Sequence, residues 1–360
     1  MKFSFSFPAI RGMQANREFY SVMCPLEVVS KLFNFYNNEI PEESRAQRIL
    51  NEKRIPEIKD YIINNPNSYV FSSITASIDG EYAFEPYEKN QDLGVLNISM
   101  NSNLLVNDGQ HRKAAIDEAL KEEPRLKNQH ISVVLFVDQG LIRSQQMFSD
   151  LNRHAINVSN SLSILYDHRD PMMQLVKEVL SANNRLFNLV EKSNNSIGKK
   201  SKKIFTLSSF HNATKKLVQD LDFENDLLIK SFVIEYWTYL FENFNEWKHI
   251  INGEVSAYSS RQTSLSTYGV CLEALGWIGN EICKSRIQDW KQKIYQVNDI
   301  DWSRTNSFWL HRFVQPDGSL RKSAYTVKMS YIGIKQQLGL SLSSEEMKAE
   351  EKLRKEQYHG

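Results

Sequence analysis

Asp108-Gly109-Gln110-His111-Arg112 sets two side chains able to carry a proton and one fixed cation around a single glycine. The apolar run Leu104-Leu105-Val106 precedes it, and Ala115, Ile116, Ala119 and Leu120 follow at helical spacing, so the segment reads as strand, tight turn and first helical turn. Unsatisfied main-chain N–H groups and the positive end of the helix dipole then fall at Gln110, His111 and Arg112, which suits a phosphate. In that reading Gly109, the amides and Arg112 hold the anion, and His111 donates a hydrogen bond or shuttles a proton. Asp108 orients a base, a ribose or a metal-bound water. The plainer reading is a structural turn, with Asp108 as N-cap and Arg112 paired to Glu118 or solvent.

Three other groups could serve the same chemistry. Asn152-Arg153-His154 ends an amphipathic stretch, Leu141–Leu151, and Asn152 and Arg153 either complete the same rim or merely cap a helix C-terminus. Arg45, Arg48, Lys53 and Arg54 share a helical stretch that reads as a basic group or as a solvated face pairing with Glu43, Glu52 and Glu57. Between Lys192 and Lys216 lie seven lysines and no acidic residue: Lys192, Lys199, Lys200, Lys202, Lys203, Lys215 and Lys216. Such a cluster suits the DNA backbone in a salt-dependent, sequence-neutral way. Gly198 and the serines around it suggest a mobile loop that folds onto DNA, against the alternative of a solvated linker.

The totals limit the remaining classes. Lys plus Arg is 44 and Asp plus Glu 43, so only local clustering argues for nucleic acid. Cys24, Cys271 and Cys283 are scattered and odd in number, which suits reduced thiols of a cytoplasmic protein. No signal peptide, membrane-length apolar run, P-loop, Gly-x-Ser-x-Gly elbow, Gly-x-Gly-x-x-Gly or metal-ligand spacing is present, so neither a membrane partner nor a metal site is expected.

Residues 1–24 read as one or two strands, with Glu18–Met23 the second, and Leu26–Tyr36 reads as a helix. A further helical stretch starts after Pro41-Glu42-Glu43-Ser44 and runs through Ile49, Leu50, Ile58, Tyr61 and Ile62; Pro56 either kinks it or starts a new helix. Tyr69–Ile78 and Glu81–Tyr87 look like a hairpin around Asp79-Gly80; strands over Leu93–Met100, Leu104–Asn107 and Ile131–Val137 follow. From Pro171 the periodicity is helical, over Met172–Leu189, Lys215–Asp222, Asp226–Phe244, Ser264–Lys284 and Ile287–Val297. All six tryptophans fall in this half, and the aromatics of residues 232–247 surround nearly a whole helix, as buried core does. The expectation is α+β: an N-terminal domain with a mixed sheet (1–165), a mainly α-helical C-terminal domain (166–342) with the basic linker 192–216, and a charged tail (343–360) that is a solvated helix or disordered.

Asp108-Gly109-Gln110-His111-Arg112 is also the signature of the DGQHR-domain proteins, and the chain resembles the DndB family of DNA sulfur modification proteins. The resemblance extends to Arg48…Arg54-Ile55-Pro56-Glu57-Ile58, to Phe148-Ser149-Asp150-Leu151-Asn152-Arg153, and to the basic stretch entering Lys203-Ile204-Phe205-Thr206-Leu207-Ser208. The DGQHR domain in turn is similar to the ParB/sulfiredoxin superfamily, in which such a turn grips the phosphates of CTP or ATP; this similarity implies that Arg48 faces the phosphate site. Sulfiredoxins carry a catalytic cysteine just before the His-Arg pair; here Gln110 stands there, so sulfur reduction is not implied while nucleotide binding is. The resemblance implies a negative transcriptional regulator of the phosphorothioate modification cluster, with its promoter, as double-stranded DNA, and other phosphorothioation proteins as partners. The alternative is a ParB-like nucleotide hydrolase acting on ATP or CTP, with His111 or Asp108 activating water and Arg112 stabilising the transferring phosphoryl group.

Overall fold

The computed structural model describes residues 3–33, 51–137, 141–153 and 159–359. The chain forms two compact units, Met1–Ile156 and Asn157–Gly360.

In the first unit, β1 (Ser4–Gln14) and β2 (Arg17–Pro25) make a tight hairpin through Ala15 and Asn16, both at positive φ. Helix α1 (Leu26–Leu32) follows, and the expected extension to Tyr36 lies outside the described residues. Helix α2 (Arg54–Asn64) holds Pro56 in its first turn, where a missing N–H costs nothing. The remaining elements are β3 (Ile74–Asp79), β4 (Tyr82–Tyr87), β5 (Asn90–Ser99), β6 (Asn103–Asp108), α3 (Gln110–Glu122), β7 (His130–Val137) and α4 (Leu141–Arg153). The seven strands form one mixed sheet in the order β4-β5-β1-β2-β7-β3-β6, in which β3 runs parallel to β7. Ile74, Ala76, Leu96, Ile98, Val133 and Leu135 alternate inward along their strands and meet Ala115 and Ile116 of α3 in the core.

The hairpin expected at Asp79-Gly80 is not one. β3 pairs with β6 and β7, while β4 pairs with β5, and the true two-residue turn is Glu88-Lys89, between Tyr87 and its partner Asn90. At Gly80 a paired ribbon turns a corner instead. The Glu81 carbonyl accepts from the Ser99 amide and the Ser102 hydroxyl, and a Cβ on Gly80 would lie 2.6 Å from Ser102 Oγ. Only the two residues Gly80 and Glu81 join β3 to β4, which belong to opposite flanks of the sheet, so the sheet curls until its flanks meet. The strand expected from Tyr69 starts only at Ile74. Before it, the Tyr69 hydroxyl is bonded to Gln129 and the Val70 amide donates to the Tyr61 hydroxyl.

The second unit begins with α5 (Asn160–Tyr166), α6 (Pro171–Ala182) and α7 (Asn184–Leu189). A two-residue parallel ladder, β8 (Val190–Glu191) with β9 (Phe205–Thr206), closes the loop between them. Then come α8 (Leu207–Leu217), α9 (Leu227–Asn243), α10 (Asn245–Ile251), α11 (Ala257–Thr263), α12 (Gly269–Ser285), α13 (Trp290–Tyr295), α14 (Ala324–Gln337) and α15 (Ser344–His359). The aromatics of 232–247 are core as expected: Tyr236, Trp237, Phe241, Phe244 and Trp247 are buried with Phe205, Phe210 and Trp309.

Helices α8 and α12 begin well away from where their periodicity suggested, and α13 begins at Trp290 where Ile287 was expected. α8 starts at Leu207 because the Thr206 hydroxyl caps the Ser209 amide, and it is over by Val218, two residues before Asp220 takes positive φ. α12 starts at Gly269, since Ser264 and Ser266 turn inward to bond the Glu246 carboxylate. The charged tail is helix α15, docked by a buried ion pair between Arg312 and Glu350 at 2.8 Å. Among the described residues no helix is long and apolar enough to cross a membrane.

Candidate functional site

Strand β6 delivers the turn to a fixed place. Asn107 is buried at its end; its Oδ1 accepts from the Ser77 hydroxyl (2.9 Å) and its Nδ2 donates to the Ser144 carbonyl (3.1 Å). One amide thus ties β6 to β3 and α4. Gly109 follows at φ +100° as the N-cap of α3, and no side chain caps the helix start. The N-cap is therefore Gly109 and not Asp108. Main-chain N–H groups at the first turn of a helix suit an anion.

A Cβ on Gly109 would sit 3.0 Å from both Arg112 Nη2 and Ile74 Cγ1, in a backbone conformation that L side chains rarely adopt. Gly109→Ala is expected to lose about 1–3 kcal/mol of stability, measured by urea unfolding, and to displace the Arg112 guanidinium. An unchanged unfolding midpoint would count against this reading of the turn.

Arg112 does not reach Glu118. Its Nη2 donates to Asp108 Oδ2 (2.8 Å) and to the Ser73 carbonyl (3.0 Å), while its Nε is buried without a hydrogen-bond partner. A buried unpaired donor costs free energy that an incoming anion oxygen can return. Gln110 points away: its side chain is buried and donates to the Val106 carbonyl (3.2 Å), which leaves its main-chain N–H for a ligand. His111 Nε2 accepts the main-chain N–H of Asn51 (3.0 Å), which places the ring proton on Nδ1. The Asp108 carboxylate and this imidazole nitrogen, the two bases a hydrolase would draw on, are thus both engaged.

These residues line a cavity of about 180 Å³ with Arg54 and Ile58 of α2 and Phe148 of α4. Its size suits a phosphate group; a whole small ligand commonly needs about 300 Å³ or more. Among the described residues that line it are two guanidiniums, Arg54 and Arg112, and one carboxylate, Asp108, a balance that favours an anion. Arg54 is the residue that sequence reasoning passed over for Arg48, and its clue was the helix start at Arg54-Ile55-Pro56. Arg48 and His154 lie outside the described residues. Asn152 and Arg153 occupy the last turn of α4, the helix that supplies Phe148, and their side chains also lie outside the description. Next to the site, Lys113 is buried and pairs with Asp117 (2.7 Å), which accepts the Ser30 hydroxyl and so ties α3 to α1.

The thiols stand apart from this chemistry. Cys24 and Cys271 are buried, and desolvation pushes the Cys24 pKa up to about 12 and raises that of Cys271.

In the second unit the basic segment is not a loose loop. Arg261 of α11 donates to the main-chain carbonyls of Gly198, Ser201 and Lys203, and the Ile204 amide donates to the Leu189 carbonyl. The lysines divide accordingly. Lys203 Nζ donates to the Asn188 carbonyl, while Lys192 Nζ donates to the Phe187 carbonyl and lies 3.3 Å above the Phe187 ring. Burial, with Lys203 close by, lowers the Lys192 pKa. Lys216 lies over Trp277, at 5.4 Å from the ring centre. Lys199, Lys200, Lys202 and Lys215 are exposed. Arg261, about sixty positions from the carbonyls it collects, carried no sequence signal.

Residues 7–341 match the model of a family described as DNA-sulfur modification-associated, a match that runs through both units. The class is thus that of proteins associated with DNA sulfur modification. Within it, the chain belongs to the DndB family. Searches of the curated proteins and of the solved structures returned no significant match.

Proposed function

We propose that this chain is a DNA-binding negative transcriptional regulator of the DNA phosphorothioate modification cluster. Its cationic loop holds the duplex backbone, and its α3 turn binds a phosphate of DNA or of a nucleotide such as ATP or CTP. The reading rests above all on Lys199, Lys200 and Lys202. They are exposed, lie in a stretch without acidic residues, and sit on backbone that Arg261 holds in place, so little order is lost when phosphates arrive. Membership of a DNA-sulfur modification family supplies the biological setting. The Arg112 Nε beside an uncapped helix start supports the second contact.

A reporter driven by the modification-cluster promoter tests the regulatory role: expression falls when the chain is supplied and recovers when it is withdrawn. A reporter indifferent to the chain rejects the role. In the same system Arg112→Ala weakens promoter occupancy about tenfold, the size of one charge-assisted hydrogen bond, and Arg112→Lys recovers part of the loss. Equal occupancy by wild type and Arg112→Ala would remove the turn from the DNA account.

A further inference from the structure

The exposed lysines form one wall of a cleft, and the rest of that cleft is not built for a backbone phosphate alone. About 780 Å³ in volume, it lies wholly in the second unit, between the end of α7, the 199–202 loop and the α10–α11 connection. This falls within the range of about 300–1,000 Å³ typical of sites for small organic ligands, whereas the cavity at the α3 turn does not.

Its wall chemistry has two halves. Lys199, Lys200, Lys202 and Arg185 supply four cations, and among the described residues that line the cleft there is no carboxylate. The flanking acids are occupied elsewhere: Glu254 pairs with His249, and Glu191 accepts the amides of Ser193 and Asn194. The opposite half is apolar and open to solvent, with Val255 41% and Tyr258 42% exposed and Ile250 and Ala257 beneath them. A phenol ring and a valine left in water beside four uncompensated cations complement a ligand that is anionic at one end and flat and apolar at the other. The wall is also held before any ligand arrives. Arg261 fixes the carbonyls of Gly198 and Ser201, and the Lys203 amide donates to the Ser201 hydroxyl.

We propose that this cleft binds a nucleotide unit, its phosphates on Lys199, Lys200, Lys202 and Arg185 and its base against Tyr258 and Val255. The unit comes either from a free nucleoside triphosphate or from an unpaired nucleotide of a DNA strand. This goes beyond duplex binding by the same lysines, because it assigns the base-contacting half of the site. Tyr258 is a binding residue on this view, and Arg261 a positioning residue.

Calorimetric titration of the full chain with ATP, inorganic tripolyphosphate and a single-stranded hexanucleotide tests it, with Tyr258→Ala and Tyr258→Phe alongside wild type. If the cleft takes a free nucleotide, ATP binds more tightly than tripolyphosphate. Tyr258→Ala then weakens ATP about tenfold, the scale of one base–aromatic stack, and Tyr258→Phe restores it. If the nucleotide belongs to a strand, the hexanucleotide alone shows that Tyr258 dependence. Binding of ATP and of the hexanucleotide that Tyr258→Ala leaves intact in both cases, or no binding by any probe, overturns the proposal. A band shift with duplex DNA separates this from the regulator reading, since Tyr258→Ala leaves a lysine–backbone contact unchanged. Either reading can then fail alone.

Discussion

Glu350→Ala is expected to destabilise the helical unit by about 3–5 kcal/mol, because it strands a buried guanidinium. Arg312 is 2% exposed; it donates to the Phe308 and Met329 carbonyls and, through Nη2, to Glu350 Oε1, and its charge lies 4.6 Å from the Phe308 ring. Carbonyl dipoles and a ring face do not replace the carboxylate charge. Tryptophan fluorescence during urea unfolding reads the loss cleanly, since all six tryptophans lie in Asn157–Gly360. The double variant Arg312→Met with Glu350→Leu should recover most of it, since apolar replacement of a buried pair is often neutral. A single variant within about 1 kcal/mol of wild type would mean that α15 is not docked by this pair.

The same contact predicts an acid limit. Burial pulls the Glu350 carboxyl upward, but hydrogen bonds and charge from Arg312 and Arg354 outweigh it, and the net shift is down. Glu346 is also lowered: burial again opposes, and the Ser343 amide and Lys335 prevail. A depressed carboxyl stabilises the fold in full above its unfolded value of about 4.3, and that contribution is lost as pH falls through the folded value. Loss of α15 docking on acidification, with neutral pH safe, is the expected order. Weakening that began between pH 6 and 8 would contradict it.

The strand, turn and helix around Gly109 were readable because each step is local: a β-compatible run, a glycine where φ must be positive, then apolar residues at helical spacing. Gly80 shows the limit of the same logic. A two-residue glycine turn has one local chemistry whether it closes a hairpin or bends a ribbon, and only the pairing of β3 with β6 and β7 decides. Side-chain direction at a turn was equally hidden. Gln110 looks like a ligand in a motif yet bonds back to Val106, while Arg54 gains its place only when α2 packs over α3. The tail read as solvated because charges fill it, but Leu353 and Glu350 are buried and Glu346 pairs with Lys335, and Arg312, the partner of Glu350, lies far away in sequence.

The lysine loop carries the functional account, and its removal is the second large effect. Lys199, Lys200 and Lys202 are exposed on backbone held by Arg261, so replacing all three with alanine leaves the fold intact while deleting three positive charges. Each phosphate neutralised by a cation contributes about 0.9 to the slope of log affinity against log salt. The triple variant should therefore lose about 2–3 from that slope and, near 0.1 M salt, on the order of 100-fold in affinity, for promoter and unrelated duplexes alike. The decisive measurement is a salt titration of promoter-duplex binding by the wild type and the triple variant. Tight, steeply salt-dependent binding by the wild type is expected, with the variant shallower and weaker by these amounts; equal slopes and affinities, or no duplex binding by the wild type at low salt, would contradict backbone binding by this loop.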